Sequence, residues 1–314
     1  MAAMLNLRIE SLEDDDPWII EQKNFNILND FLQPDSKISS KEAAYQINEF
    51  TPMKREARGE KDVEHPESYL FEVWCFFIEI SKQIPHDHPS QDKLVSLIKN
   101  LKSLPSIGVQ IWGPKESMLW GDLPLIKAAW AEDWQEPHYS VDYKYFDEDF
   151  RRGVNWHAFS ARLLQSGLTD WYFYATRILR MALEDEPHQK KGIAEYRICA
   201  AAQWIAHSRQ AIFQRLDTKF SDGDLNQMGE GPLCKAWKCK KGKKSKKGKQ
   251  GKKGKKVKKS KIGISRKRWN FWKATFQAFG DERSEEVSDK TASVCRMAAE
   301  QMMGIKATPG PSHE

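Results

Sequence analysis

Three groups of residues have the types and spacing that chemistry uses. Asn155, Phe159 and Arg162 fall on one face of a helical stretch, Gln165 lies just beyond, and Glu184 ends the next stretch. A guanidinium offers a planar fork to a carboxylate or phosphate, so Asn155, Arg162 and Glu184 are the candidates for a polar pocket. The same types also make a structural ion pair, a buried arginine against a glutamate, and that is the simpler reading. Second, Lys240, Lys241, Lys243, Lys244, Lys246, Lys247, Lys252, Lys253, Lys255, Lys256, Lys258 and Lys259 crowd one segment. Clustered lysines release counterions from a phosphate backbone, so the segment is a candidate for sequence-independent binding of nucleic acid or another polyanion. Third, Cys239 stands between Lys238 and Lys240. Positive neighbours lower a thiol pKa, and Cys239 is expected to alkylate faster than Cys75.

Other pairings carry less. Cys234 and Cys239 lie five apart with no second pair, whereas zinc sites bring two closely spaced pairs together; no metal is expected. His86-Asp87-His88 sits between Pro85 and Pro89 and reads as a turn between helices, with Asp87 or Ser90 capping the next one. Gly-rich phosphate loops, a Gly-x-Ser-x-Gly elbow, His-Glu-x-x-His and kinase signatures are all missing from the sequence. No cofactor is expected, and the prior for an enzyme falls.

The elements that would position these residues are helical throughout. Ser39-x-x-Glu42 has capping-box form and opens a helix through Phe50, followed by a loop over 51–65. Pro66 opens a helix apolar nearly all round, with Leu70, Val73, Trp74, Phe77, Ile80 and Ile84, and such a helix is central and buried. A stripe from Leu94 to Leu104 follows, then a Gly- and Pro-rich loop over 106–121, then a helix that Asp122 can cap. Further helices run from Phe150 to Leu164, from Trp171 to Ala182 after a break at Gly167, and from Ile193 to Ile212. Ser265 opens a helix with Trp269, Trp272 and Phe276, and a last one carries Val287 to Met302. Alternating strand patterns and solenoid repeats are not visible. The expected fold is all-α, an irregular assembly of about eight to ten helices with one disordered Lys-rich loop. The tryptophans at 74, 120, 130, 134, 171, 204, 269 and 272 sit at helical spacing and read as core packing before they read as a ligand cage.

Composition narrows the class. Charged residues make up 30% of the 314, and mean hydropathy is −0.69. The longest apolar run, 69–80, contains Glu72 and Glu79, well short of the ~20 apolar residues a spanning helix needs; no membrane association is expected. The start of the chain lacks a secretory pattern, and five irregularly spaced cysteines suit reduced thiols. An intracellular protein is expected, with nucleus and cytoplasm both open. The net charge of +6 conceals two parts: fifteen lysines and no acid lie over 238–261, which leaves about −9 for the rest. One aliphatic residue, Val257, cannot offset the entropy of ordering that segment. Binding element, nuclear import signal and dispensable insertion all remain readings of it.

The boundaries that follow are an acidic disordered arm over 1–16, a single helical domain over 17–234 and 265–304, a low-complexity insertion over 235–264, and a disordered tail over 305–314. Two lobes meeting near 105–121 are also expected.

Several stretches in order resemble a fungal family of uncharacterised proteins, the domain of unknown function 3632. They are Asp30-Phe31-Leu32, Ala43-Ala44, Ile84-Pro85 with His88-Pro89 and Gln91, Leu101 to Pro105, and Trp120 to Pro124. Asn155 to Arg162, Ala182-Leu183-Glu184, Ala200 to Trp204, Gly231-Pro232-Leu233 and Trp269-x-x-Trp272 complete them. The likeness covers about 28 to 303 and implies an all-helical fold and no activity. The lysine run departs from the pattern as an insertion. The functional expectation is a non-catalytic helical scaffold or protein-binding domain; the alternatives are polyanion binding through the lysines and an enzyme built on Asn155, Arg162 and Glu184.

Overall fold

The helical periodicity is realised almost everywhere it occurs. A computed structural model describes residues 2–105, 107–113, 116–134, 146–216, 264–281 and 287–305. Among these are eleven α-helices and one two-stranded hairpin. The chain divides into two compact units, Met1–Arg162 and Leu163–Glu314; the stretch 105–121, expected as a lobe boundary, lies inside the first.

In the first unit α1 (Ile19–Leu32), α2 (Ser40–Asn48) and α5 (Ser90–Lys102) pack together, and α4 (Pro66–Gln83) packs on α3 (Pro52–Ala57) and α6 (Ile126–Asp133). The α2 cap forms as its sequence requires, with Ser39 Oγ accepting from Glu42 N at 3.1 Å. Proline opens both α3 and α4, where its missing N–H has no partner to lose. The helix α3 lies within 51–65, expected as loop; Thr51-Pro52 is its start signal, and buried Arg55 fixes it by gripping Glu64 at 2.6 and 2.9 Å. Leu70, Trp74, Phe77 and Ile80 of α4 are fully or almost fully buried, which makes α4 the central helix of this unit.

Two expectations about the following segment fail. Gly108–Gln110 (β1) and Glu116–Met118 (β2) pair antiparallel, Gly108 opposite Met118. Three-residue strands are too short for alternation to show in sequence. Asp122 does not cap α6; its Oδ2 accepts from Met118 N at 2.8 Å and closes the hairpin instead. Leu125 precedes α6 in a left-handed conformation with no side-chain cap.

Residues 2–9, read as a disordered arm, lie extended with Leu7 and Ile9 buried. The acidic run that prompted that reading begins only at Glu13. The tail from Lys306 and the Lys-rich segment lie outside the described residues.

Helix α7 (Phe146–Gln165) ends in a left-handed Gly167, with Leu168 N donating to Leu163 O and Gly167 N to Leu164 O, the bonding of a Schellman stop. In the second unit α8 (Tyr172–Leu183), α9 (Lys191–Gln214), α10 (Arg266–Asp281) and α11 (Asp289–Met303) pack around Trp204, Trp272 and Phe276. Helix α9 kinks at Ser208, whose Oγ bonds Trp204 O at 2.8 Å. The amide this frees at Ala211 is taken by Gln165 Oε1 at 3.2 Å. Ser265 caps α10 as expected, accepting from Arg268 N at 3.2 Å.

Candidate functional site

Each expected pocket residue is buried, and each is committed to neighbours within its own unit. Asn155 Nδ2 donates to Lys82 O at 2.8 Å, at the C-terminal end of α4. Arg162 gives Nε to Asp92 Oδ1 at 3.0 Å, Nη2 to His86 O at 2.9 Å and Nη1 to Ala158 O at 3.3 Å. All three guanidinium nitrogens are therefore engaged, and the fork that would hold an anion is already spent on the α4–α5 turn. Burial lowers the Arg162 pKa, and Asp92 and Asp87 oppose that shift.

The ion pair that sequence reasoning drew from an arginine to a glutamate exists with a different arginine. Glu184 takes Arg268 through Nε to Oε1 and through Nη2 to Oε2 at 3.0 Å, and its Oε1 also accepts Trp272 Nε1 at 2.6 Å. The Arg268 guanidinium lies 5.4 Å over the Trp272 ring. Arg268 escaped notice because it belongs to a basic run, Arg266-Lys267-Arg268, that reads as solvated surface. Its place one residue before Trp269 was the available signal.

The same economy holds at other stretches that carry the family resemblance. Gln91 Nε2 holds Ser81 O and Ile84 O, Lys93 Nζ holds Phe31 O and Gln33 O, and Ser90 Oγ holds Leu32 O. Trp74 Nε1 donates to Pro124 O at 2.7 Å, and Trp120 Nε1 to Asn48 Oδ1 at 2.9 Å. His86-Asp87-His88 forms the expected turn, but His88 rather than Asp87 or Ser90 provides its polar contact, accepting Ser90 N at Nδ1 over 3.2 Å. These residues are joints between elements.

Of the reactive groups, Cys239 and Lys240–Lys259 lie outside the described residues. Cys75, Cys199 and Cys295 are free thiols whose burial pushes their pKa up, to about 11, about 11 and about 12. No group of three or more His, Cys, Asp or Glu side chains suited to a metal occurs among the described residues. A shallow pocket between Met181, Pro187, Ala194, Ile198, Phe279 and Val287 encloses about 20 Å³, room for about one water molecule.

The hairpin faces outward. It buries Val109 and exposes Gly108, Gln110, Glu116 and Met118. Beyond β1, Trp112 is 66% exposed at a φ of +44°. A bulky side chain in the left-handed region costs about 1–2 kcal/mol. Trp112 N donates to Glu67 Oε2 at 3.3 Å, and its ring meets Phe71 of α4 at 6.5 Å between centroids. Carboxylates from Glu67, Glu116 and Asp122 belong to the same hairpin and its support. Sequence reasoning missed Trp112 because it lies in Gln110-Ile-Trp-Gly-Pro114, without helical or strand periodicity.

The fold thus defines a helical protein of two units, each with its own buried polar joints. Residues 74–276 match the model of a family described as Protein of unknown function (DUF3632), and the chain belongs to that family. No curated protein and no solved structure matches it. No helix among the described residues is long and apolar enough to cross a membrane.

Proposed function

We propose that this protein is a non-catalytic, intracellular helical scaffold that docks a protein partner through the 108–118 hairpin. The observation that carries the reading is Trp112, a large aromatic held in solvent on a strained backbone. Its amide meets Glu67 and its ring meets Phe71, both of α4, while most of the side chain stays in solvent; strained, exposed aromatic positions concentrate at binding sites. The partner surface that fits is apolar at its centre with lysine or arginine around it, matching Trp112 and Met118 beside Glu67, Glu116 and Asp122. The commitment of Asn155, Arg162 and Glu184 to backbone and side-chain partners supports the same reading over an enzymatic one.

The test is affinity capture from a homologous cell extract with the wild-type chain and with Trp112→Gly and Met297→Ser, followed by binding measurements on the purified partner. Met297 is a second exposed apolar residue, 51% accessible on α11. Capture and affinity should fall about tenfold or more for Trp112→Gly and stay unchanged for Met297→Ser. Equal capture by all three chains would overturn the reading.

A second reading rests on composition. Fifteen lysines without an acid over 238–261 suit sequence-independent polyanion binding, and the two activities are compatible on one scaffold.

A further inference from the structure

Residues 2–9 occupy a groove that reads main chain. Gln33, the residue after α1, accepts Leu5 N at 3.0 Å and donates back to Leu5 O at 3.3 Å. Gln83, the last residue of α4, accepts Arg8 N at 2.8 Å and donates to Arg8 O at 2.7 Å. A primary amide carries one acceptor and one donor edge, so each glutamine pairs with the backbone as a neighbouring strand would. His88 Nε2 meets Ala3 O at 2.9 Å. Leu7 and Ile9 are each 6% exposed, and the residues between and beside them face solvent. The groove thus binds an extended segment with aliphatic residues at every second position, mostly through contacts that do not depend on side-chain identity.

The link from this arm to α1 makes one exposed side-chain bond to that helix, Ser11 Oγ donating to Glu21 Oε2 at 2.9 Å. Residues 10–13 form one 3-10 turn without a side-chain cap, and Glu13-Asp14-Asp15-Asp16-Pro17 then runs to Trp18, which also lacks a capping bond. Four consecutive carboxylates repel one another in that short connection, and a short hinge favours exchange of the element it tethers.

We propose that the groove formed by Gln33, Gln83 and His88 is a docking site for residues 2–9 of a second copy of this chain, giving a reciprocal arm-exchanged dimer. Every bond the arm makes in its own unit is available unchanged to the arm of another copy, while straightening the hinge relieves the carboxylate repulsion. The symmetry closes at two copies because each supplies one arm and one groove.

Mixed-isotope cross-linking on the full chain tests this. Unlabelled chain carrying a photoreactive leucine analogue at position 5 is mixed with heavy-isotope wild-type chain, warmed briefly, and irradiated. The expected result is position 5 joined to the Gln33 region of a heavy chain. That mixed fraction should rise several-fold for each tenfold increase in concentration by mass action and collapse when free peptide of residues 2–12 is added in excess. Cross-links confined to single light chains at every concentration would overturn the proposal. So would mixed cross-links that join position 5 to any other surface, or that persist under excess peptide.

Discussion

His157 shows how far one side chain can commit a fold to a protonation state. Its ring is 3% exposed and meets Trp134 and Trp156 edge-on at 5.2 and 4.9 Å. Burial lowers its pKa from 6.5 to about 3. The unfolded chain therefore binds a proton below pH 6.5 that the folded chain refuses. The stabilisation is complete above about pH 6.5 and is lost progressively as the pH falls toward 3. Between pH 7 and pH 5 this single group should remove about 2 kcal/mol, which urea titrations at the two pH values would measure, and His157→Phe should flatten that dependence. Glu184 makes the complementary case. Its carboxylate neutralises Arg268 and accepts Trp272, so Glu184→Ala leaves a buried guanidinium unpaired and should cost about 3–5 kcal/mol in chemical denaturation. Loss within about 1 kcal/mol would mean that Arg268 finds water instead.

Among elements, α10 and α11 come into close contact at Gly280. A Cβ there would lie 2.6 Å from Arg296 Cγ and 3.1 Å from Arg296 N, and Arg296 Nη1 bonds Gly280 O at 2.6 Å. Gly280→Val should therefore lower stability by about 2 kcal/mol or more, despite the better helix propensity of valine over glycine; a thermal melt reads it directly. Most elements were legible because their signals are local. Ser39 with Glu42, Pro66, Gly167 and Ser265 each act within one turn of the boundary they set. The apolar stripes of α4, α5, α8 and α9 repeat over three turns or more. What stayed hidden was short or tertiary: α3 has six residues, each strand has three, and the Leu125 start of α6 has no side-chain signature. The polar candidates were legible as buried and polar, not as partners. Arg162 to Asp92 and Glu184 to Arg268 span 70 and 84 residues, and no spacing rule connects positions that far apart.

At the scale of the molecule, the charge asymmetry separates the two proposed activities. The lysine run supplies the positive charge, and the acidic remainder includes the carboxylates around the hairpin. Joining Leu233 to the buried Ile264 through a short Gly-Ser linker should leave helicity by circular dichroism unchanged, because closing a shorter loop alters the entropy by only about 1 kcal/mol. Any affinity for generic duplex that falls steeply with salt should disappear with it; affinity retained by the deleted chain would place the binding on the helical units. The hairpin should behave in the opposite way. Trp112→Gly relieves a left-handed backbone while giving up the Phe71 contact, two effects of about 1 kcal/mol each and of opposite sign. Stability measured by denaturation should stay within about 1 kcal/mol of wild type, so any loss of binding reports on the surface and not on the fold.

The most direct test of that surface is photocross-linking in intact cells with a photoreactive aromatic residue at position 112, and at position 297 as a control. The account predicts a discrete covalent adduct from position 112 that position 297 does not give, and that excess unlabelled wild-type chain suppresses while Trp112→Gly does not. Failure to form any adduct at 112, or the same adducts from both positions, would contradict the claim that this hairpin is where the protein meets its partner.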